Sequence, residues 1–144
     1  MLLESLLNRG SMPVLQQVMS FTEARHNVLA NNISNIDTVG YKMKDLPAGE
    51  FFASLSEAVE RRKSGGAGAR LEIQPTSNLS WDQNGNLQAR PIEVENNIMF
   101  HDKNNRFVEK QMSMMAQNAM LHNVAAEMLK GQYDKLQMAI SGRL

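Results

Sequence analysis

The sequence predicts a mainly α protein, in which a long helix at each end of the chain orders against the other around a small irregular or β middle section. Three observations carry this reading. Apolar residues recur at spacings of three and four through both ends, the mark of a one-sided helical face. Gly and Pro concentrate between residues 47 and 91, where they punctuate turns. The apolar face of the last helix is also wider than one partner helix covers.

The first helix has a readable start. Ser11 is an N-cap residue type and Pro13 follows in the first turn, where its missing N–H costs little. Leu15, Val18, Met19, Thr22, Leu29, Ile33 and Ile36 then recur at helical spacing, interrupted by Arg25 and His26. Asp37-Thr38-Val39-Gly40 supplies the stop, because Gly takes the left-handed conformation that helix C-termini favour. A helix over about 12–37 follows.

In the middle, Phe51, Phe52, Leu55 and Val59 suggest a short amphipathic helix running into Arg61-Arg62-Lys63, and Ser64-Gly65-Gly66-Ala67-Gly68-Ala69 reads as a flexible linker. Beyond it, Leu71/Ile73 and Leu79/Trp81 alternate with polar residues, and Asn84-Gly85 is a hairpin signal before Leu87, Ala89, Ile92 and Val94. A small β element is expected there.

The last helix carries the clearest pattern. Val108, Met112, Met115, Ala119, His122, Ala126, Leu129, Tyr133, Leu136 and Ile140 alternate spacings of four and three without a slip, a heptad seam. A second row, Phe107, Met114, Leu121 and Met128, runs beside it. No Pro interrupts the helix, and Gly131 is its one weak residue, costing about 1 kcal/mol relative to Ala. A helix alone in water draws most of its stability from tertiary packing. Both ends are therefore expected to order only against each other and against neighbouring molecules. The chain divides into 1–45, 46–101 and 102–144 on this reading.

Composition removes several function classes. The 144 residues carry 15 Lys and Arg against 15 Asp and Glu, scattered along the chain, which is not the footprint of phosphate-backbone binding. Ala30, Ile33, Ser34 and Asn35 superficially suggest a DNA-reading helix, but Gly40 and Pro47 follow where a recognition helix would be needed. No apolar run is long enough to span a bilayer, and Met1 to Leu7 is too short and too acidic for a signal-peptide core. The chain has no Cys, so disulfides, thiolate metal sites and Cys nucleophiles are excluded together. Zero net charge leaves association with like chains electrostatically permitted.

Catalytic and metal-binding patterns are missing as well. His26, His101 and His122 lie far apart and hold no metal-ligand spacing with Asp or Glu, and no phosphate-cradling or nucleophile motif occurs. No cofactor, metal or catalytic residue is expected, and the protein is read as a non-enzyme. The six Met at 112, 114, 115, 120, 128 and 138 suit a core shared between molecules, since Met adapts to irregular surroundings.

The end of the first helix is unusual. Asn27, Asn31, Asn32 and Asn35 crowd its last turns although Asn is a poor helix former. A solvated, fraying surface would account for them. So would amides that hydrogen-bond across helix interfaces and set register, as a buried polar residue does in a coiled coil.

The stretch Ala30-Asn31-Asn32-Ile33-Ser34-Asn35-Ile36-Asp37-Thr38-Val39-Gly40-Tyr41-Lys42 resembles the signature A-N-N-I-A-N-x-x-T-P-G-Y-K of the bacterial flagellar rod and hook proteins. Ser34 stands for the usual Ala and Val39 for the usual Pro, which loses rigidity in the turn. Asn104-Asn105-Arg106-Phe107-Val108-Glu109-Lys110-Gln111-Met112 is loosely similar to the opening of the final helix in proximal rod proteins, G-N-x-V-D-L-E-K-E-M. The likeness is detailed over about 25–42 and 104–140 and topological between them.

This resemblance implies that the terminal helices pair as an antiparallel, coiled-coil-like hairpin. It implies a structural subunit, exported without a cleaved signal peptide, that assembles with its own copies and other axial proteins into a periplasmic helical tube transmitting torque and enclosing an export channel. The implied neighbours are FlgC, the adaptor FliE and the MS-ring. Candidate assembly residues are Asn31, Asn32, Asn35, Thr38, Gly40, Tyr41, Met115, His122, Leu129, Tyr133, Leu136 and Ile140. A neighbouring, FlgC-like rod protein and a cytoplasmic helical adaptor or export chaperone stay open as alternatives.

Overall fold

A computed structural model describes residues 10–66, 69–94 and 103–142, the side chains of 103–107 excepted. The Met1–Leu7 stretch, Ala67 and Gly68 of the linker, His101 and the side chains of Asn105 to Phe107 lie outside the described residues.

The described residues form three helices and two short antiparallel strand pairs. Helix α1 spans Met12–Ser34 and follows Gly10, whose φ is 79°. Ser11 makes no side-chain cap; its carbonyl instead accepts the Leu15 N–H at 2.9 Å. The helix stops short of the expected residue 37. Ser34 Oγ donates to the Ala30 carbonyl and Asn35 Nδ2 to the Asn31 carbonyl, each at 2.9 Å, so side chains compete for the acceptors a further turn needs. Turn bonds from Thr38 N to Asn35 O and from Tyr41 N to Thr38 O carry the chain to Gly40, at φ 78°.

Strand β1, Lys44–Asp45, leads into helix α2, Ala48–Ser64. Phe51, Leu55 and Ala58 are buried at helical spacing, while Arg61, Arg62 and Lys63 sit in the last turn, where positive charge complements the helix dipole. The core is gathered by α1, α2 and the chain after them: Phe21, Leu46, Phe51, Leu55 and Leu79 form it. Phe21 and Phe51 stack with ring centroids 4.1 Å apart, and Phe52 meets Phe51 edge-on at 5.2 Å.

Strands β2, Leu79–Trp81, and β3, Leu87–Ala89, form the expected hairpin, with Leu79 opposite Ala89 and Trp81 opposite Leu87. Its loop is anchored by Asp82 rather than closed as a two-residue turn: Asp82 Oδ1 accepts the N–H groups of Asn84 and Asn86, each at 2.8 Å, and Gly85 turns with φ 82°. The Asn86 side-chain amide, then the backbone N–H groups, hold the Asp82 carboxyl below its ordinary pKa. The hairpin is pinned to α1 through Gln17, which accepts from Trp81 Nε1 at 2.8 Å and donates to the Gly85 carbonyl at 3.1 Å. Leu71 and Ile73 form no strand; they lie half-buried against the core as irregular extended chain. Strand β4, Ile92–Glu93, returns to pair antiparallel with β1.

Helix α3 runs unbroken over Lys103–Ser141 and packs along α1. This is the expected helical hairpin, with α3 rotated from the expected seam. Met115, His122, Leu129 and Leu136 face inward, but the alternating positions are Gln111, Asn118, Ala125 and Gln132. Gln111, Asn118 and Ala125 are buried, whereas Met112, Tyr133 and Ile140 are 55%, 44% and 66% exposed. Apolar residues occur on several sides of this helix, so hydrophobicity alone selects no single seam. Polar partners waiting on α1 select it instead.

Candidate functional site

The rod-like signature at the end of α1 is a junction of three chain segments. Asn32 has no exposed surface and uses its whole hydrogen-bonding capacity. Its Nδ2 donates to the Lys44 carbonyl at 2.6 Å and to Gln111 Oε1 on α3 at 3.0 Å. Its Oδ1 accepts from the Lys44 N–H at 3.0 Å and from the Tyr41 hydroxyl at 3.1 Å. The Lys44 N–H can only donate and its carbonyl only accept, so the amide has one permitted orientation. Gly40 makes the turn that returns Tyr41 and Lys44 to Asn32. The helix end, the returning chain and α3 are thus closed by one side chain.

Beside it, Arg25 forks onto Asp45, Nε to Oδ1 at 2.8 Å and Nη2 to Oδ2 at 2.7 Å. Asp45 Oδ1 also accepts the Leu46 N–H. The hydrogen bond to Asp45 raises the Arg25 pKa despite partial burial, and the two-pronged contact fixes β1 to α1. Outside this closure, Lys42 pairs with Glu93 at 2.8 Å across the exposed edge of β1 and β4.

A second polar layer crosses the helix pair further along. Asn118 Nδ2 donates to the Thr22 carbonyl at 2.7 Å, and Thr22 Oγ1 lies 2.8 Å from His122 Nδ1. The same hydroxyl is 2.9 Å from the carbonyls of Val18 and Met19. Donating its proton to either carbonyl leaves a lone pair for His122 Nδ1–H. The layers at Asn32–Gln111 and Thr22–Asn118–His122 fix the register of α1 against α3, since a slip would strand buried polar groups.

The expected assembly residues divide accordingly. Asn32 and Tyr41 bond inside the chain, and Met115, His122, Leu129 and Leu136 lie half-buried on the inner side of α3. Asn31, Thr38 and Gly40 are exposed, as are Tyr133 and Ile140, and half-buried Asn35 is bonded to its own helix. Sequence reading missed Arg25, Asp45, Gln111 and Asn118. Gln111 and Asn118 stand seven residues apart, a heptad spacing that a pattern of apolar residues does not reveal. Among the described residues no three His, Asp or Glu side chains gather as a metal cluster, and no helix is long and apolar enough to cross a membrane.

Comparison with known proteins follows the same geometry. The family model of the flagella basal body rod protein matches residues 16–42, which run from the second turn of α1 past Asn32 to Tyr41 and Lys42. The chain is 24% identical over 140 residues to the flagellar basal body rod protein FlgB of Bacillus subtilis, covering 92% of this chain and 95% of that one. It is 24% identical over 128 residues to the FlgB of Aquifex aeolicus, covering 89% and 90% of the two chains, and 24% identical over 125 residues to that of Proteus mirabilis, covering 87% and 88%. No solved structure matches significantly. A rod-family match over the end of α1, likeness to FlgB proteins over nearly their whole length, and terminal helices paired around a small strand-bearing middle together make this chain similar to the FlgB-type flagellar rod proteins.

Proposed function

We propose that this protein is a structural subunit of the proximal rod of the flagellar basal body, polymerising with its own copies and other axial proteins into a helical tube that carries torque and surrounds the export channel. The single observation behind this reading is the division of labour on α3. Its inward side is matched to α1 by hydrogen bonds, while Met120, Val124, Met128 and Met138 are 70%, 48%, 52% and 51% exposed on a chain taken alone. Contiguous exposed apolar surface marks an interaction site, and Met tolerates the slightly different packings that successive subunits present.

On this reading the neighbours are FlgC-type rod proteins, the adaptor FliE and the MS-ring, and the subunit reaches the periplasm through the export channel without a cleaved signal. Asn31, Tyr133 and Ile140, which point outward, join the exposed Met residues in contacts between subunits. Asn32, Tyr41 and His122 contribute by keeping the hairpin closed. The parts 1–45, 46–101 and 102–144 act as inner helix with closure, outer middle section and inner helix. No step of this role calls for catalysis or a cofactor. Imaging a tagged copy in purified basal bodies tests the proposal: the tag belongs at the proximal rod, and its absence there overturns the reading.

A further inference from the structure

We infer that Met120, Met128 and Met138 on the outward side of α3 are a redox-modification site, at which a peroxide converts the thioethers to sulfoxides and takes this surface out of use for other subunits. The inference rests on the rod reading, which makes that surface a contact between subunits. Burial separates the methionines. Met12 and Met43 are 4% and 9% exposed, whereas Met120, Met128 and Met138 are 70%, 52% and 51% exposed. About 3.6 residues make a helical turn, so Met120 and Met138, 18 residues apart, stand in line along α3. They lie on the side turned away from buried Asn118 and Ala125, with Val124 and Met128 between them.

Sulfur makes such a surface switchable where leucine would not. A lone pair of the thioether sulfur attacks one oxygen of hydrogen peroxide, and the S–O bond forms as the O–O bond breaks. The departing hydroxide takes the proton left on the transferred oxygen and leaves as water; sulfur loses two electrons and the peroxide gains them. The product is polar where the parent side chain was apolar, which disrupts Met-rich contacts, and sulfoxide reductases restore the thioether. The chain has no Cys, so no thiol of its own takes the peroxide first. The fold of the single chain does not depend on these sulfurs. Its core gathers Phe21, Leu46, Phe51, Leu55 and Leu79, and α3 is held on α1 through Asn32–Gln111 and Thr22–Asn118–His122. Oxidation therefore leaves a folded chain with an altered outer face, and it acts on free subunits, because assembly covers the same sulfurs.

Chemistry and consequence are tested separately. The purified full chain is treated with hydrogen peroxide, digested and mapped by mass spectrometry. Met120, Met128 and Met138 are expected to gain one oxygen each while Met12 and Met43 stay unmodified and helical circular dichroism is retained. Equal conversion of the buried pair, or loss of helicity, overturns the inference. In cells that make only variant copies, Met120→Gln, Met128→Gln and Met138→Gln together place uncharged polar side chains on this surface, and loss of rods is expected although the purified variant keeps its helicity. If the triple variant fails to fold, Met120→Gln alone, at the most exposed of the three positions, decides. The same three positions changed to Leu cannot take oxygen. The fraction of basal bodies bearing rods, each strain compared with itself without peroxide, is expected to fall under sublethal peroxide for the parent chain and to hold for the Leu variant. If the Leu variant builds no rods, the Gln variant decides. Normal rods in a folded Gln variant, or an equal fall in both strains, overturn the switch alone when a tagged parent chain sits at the rod; absence of that tag from the rod overturns both the switch and the rod reading.

Discussion

Replacing Asn32 with Asp is the most incisive perturbation of the closure, because it preserves shape and removes only donors. Asn32 Nδ2 now serves two acceptors, the Lys44 carbonyl and Gln111 Oε1. Asn32→Asp leaves both facing another acceptor. Each orphaned buried group costs about 1–3 kcal/mol, so the loss is about 2–6 kcal/mol at neutral pH, a large share of a domain's usual ~5–15 kcal/mol. Burial also penalises the introduced carboxylate, which raises its folded-state pKa above the unfolded value. The folded form then binds the extra proton more readily, so the variant's deficit shrinks as pH falls through that raised value and is full above it. Urea unfolding followed by helical circular dichroism and by fluorescence of Trp81, the chain's single Trp, measures both effects. A loss below about 1 kcal/mol, or a deficit that does not change with pH, would refute the assignment of Asn32 as the closing group.

Three further outcomes follow from the same structure. Leu129→Asp places a charge on the inward side of α3 and is expected to stop rod assembly while export of the chain continues; intact rods and normal motility would remove Leu129 from the seam. Gly131→Ala meets nothing within 4 Å of its new Cβ in mid-helix and is expected to stabilise by about 0.5–1 kcal/mol in urea unfolding. The Asp82 pKa is lowered by its loop donors, so its stabilising contribution is present above the ordinary Asp range and is lost as pH falls through the lowered value. Trp81 fluorescence should report loosening of the hairpin in that acid window, and Asp82→Asn should erase the step.

The elements were legible where one periodicity dominated. Both long helices, the amphipathic α2 and the hairpin at Asn84-Gly85 follow from spacing and turn chemistry. The signature was legible as a cluster of amides, and Asn32 does cross a helix interface, between helices of one chain. The face of α3 was not legible, because Met and Leu on several sides leave hydrophobicity undecided, and the deciding residues, Gln111 and Asn118, are polar. Thr22 entered the apolar row of α1 by position and proved to be the centre of a polar layer. Arg25 and Asp45 stand 20 residues apart, with no local pattern to pair them. Strands of two residues, such as β1 and β4, are set by tertiary contact and leave no alternation to read.

The closure also orders events in time. The bonds that join α1 to α3 link residues 79, 96 and 100 positions apart, among the longest sequence separations this chain offers. Contacts of that span form only after the entropy of closing the intervening loop has been met. A partial chain lacking the last helix keeps the bonds of Asn32 to Lys44 and Tyr41 but has no Gln111, Asn118 or His122 to meet Asn32 and Thr22, so it can build the Phe21–Phe51 core and its hairpin while the two ends stay apart. Completion of the fold is therefore a test of whole length, passed only when the final third of the chain has arrived.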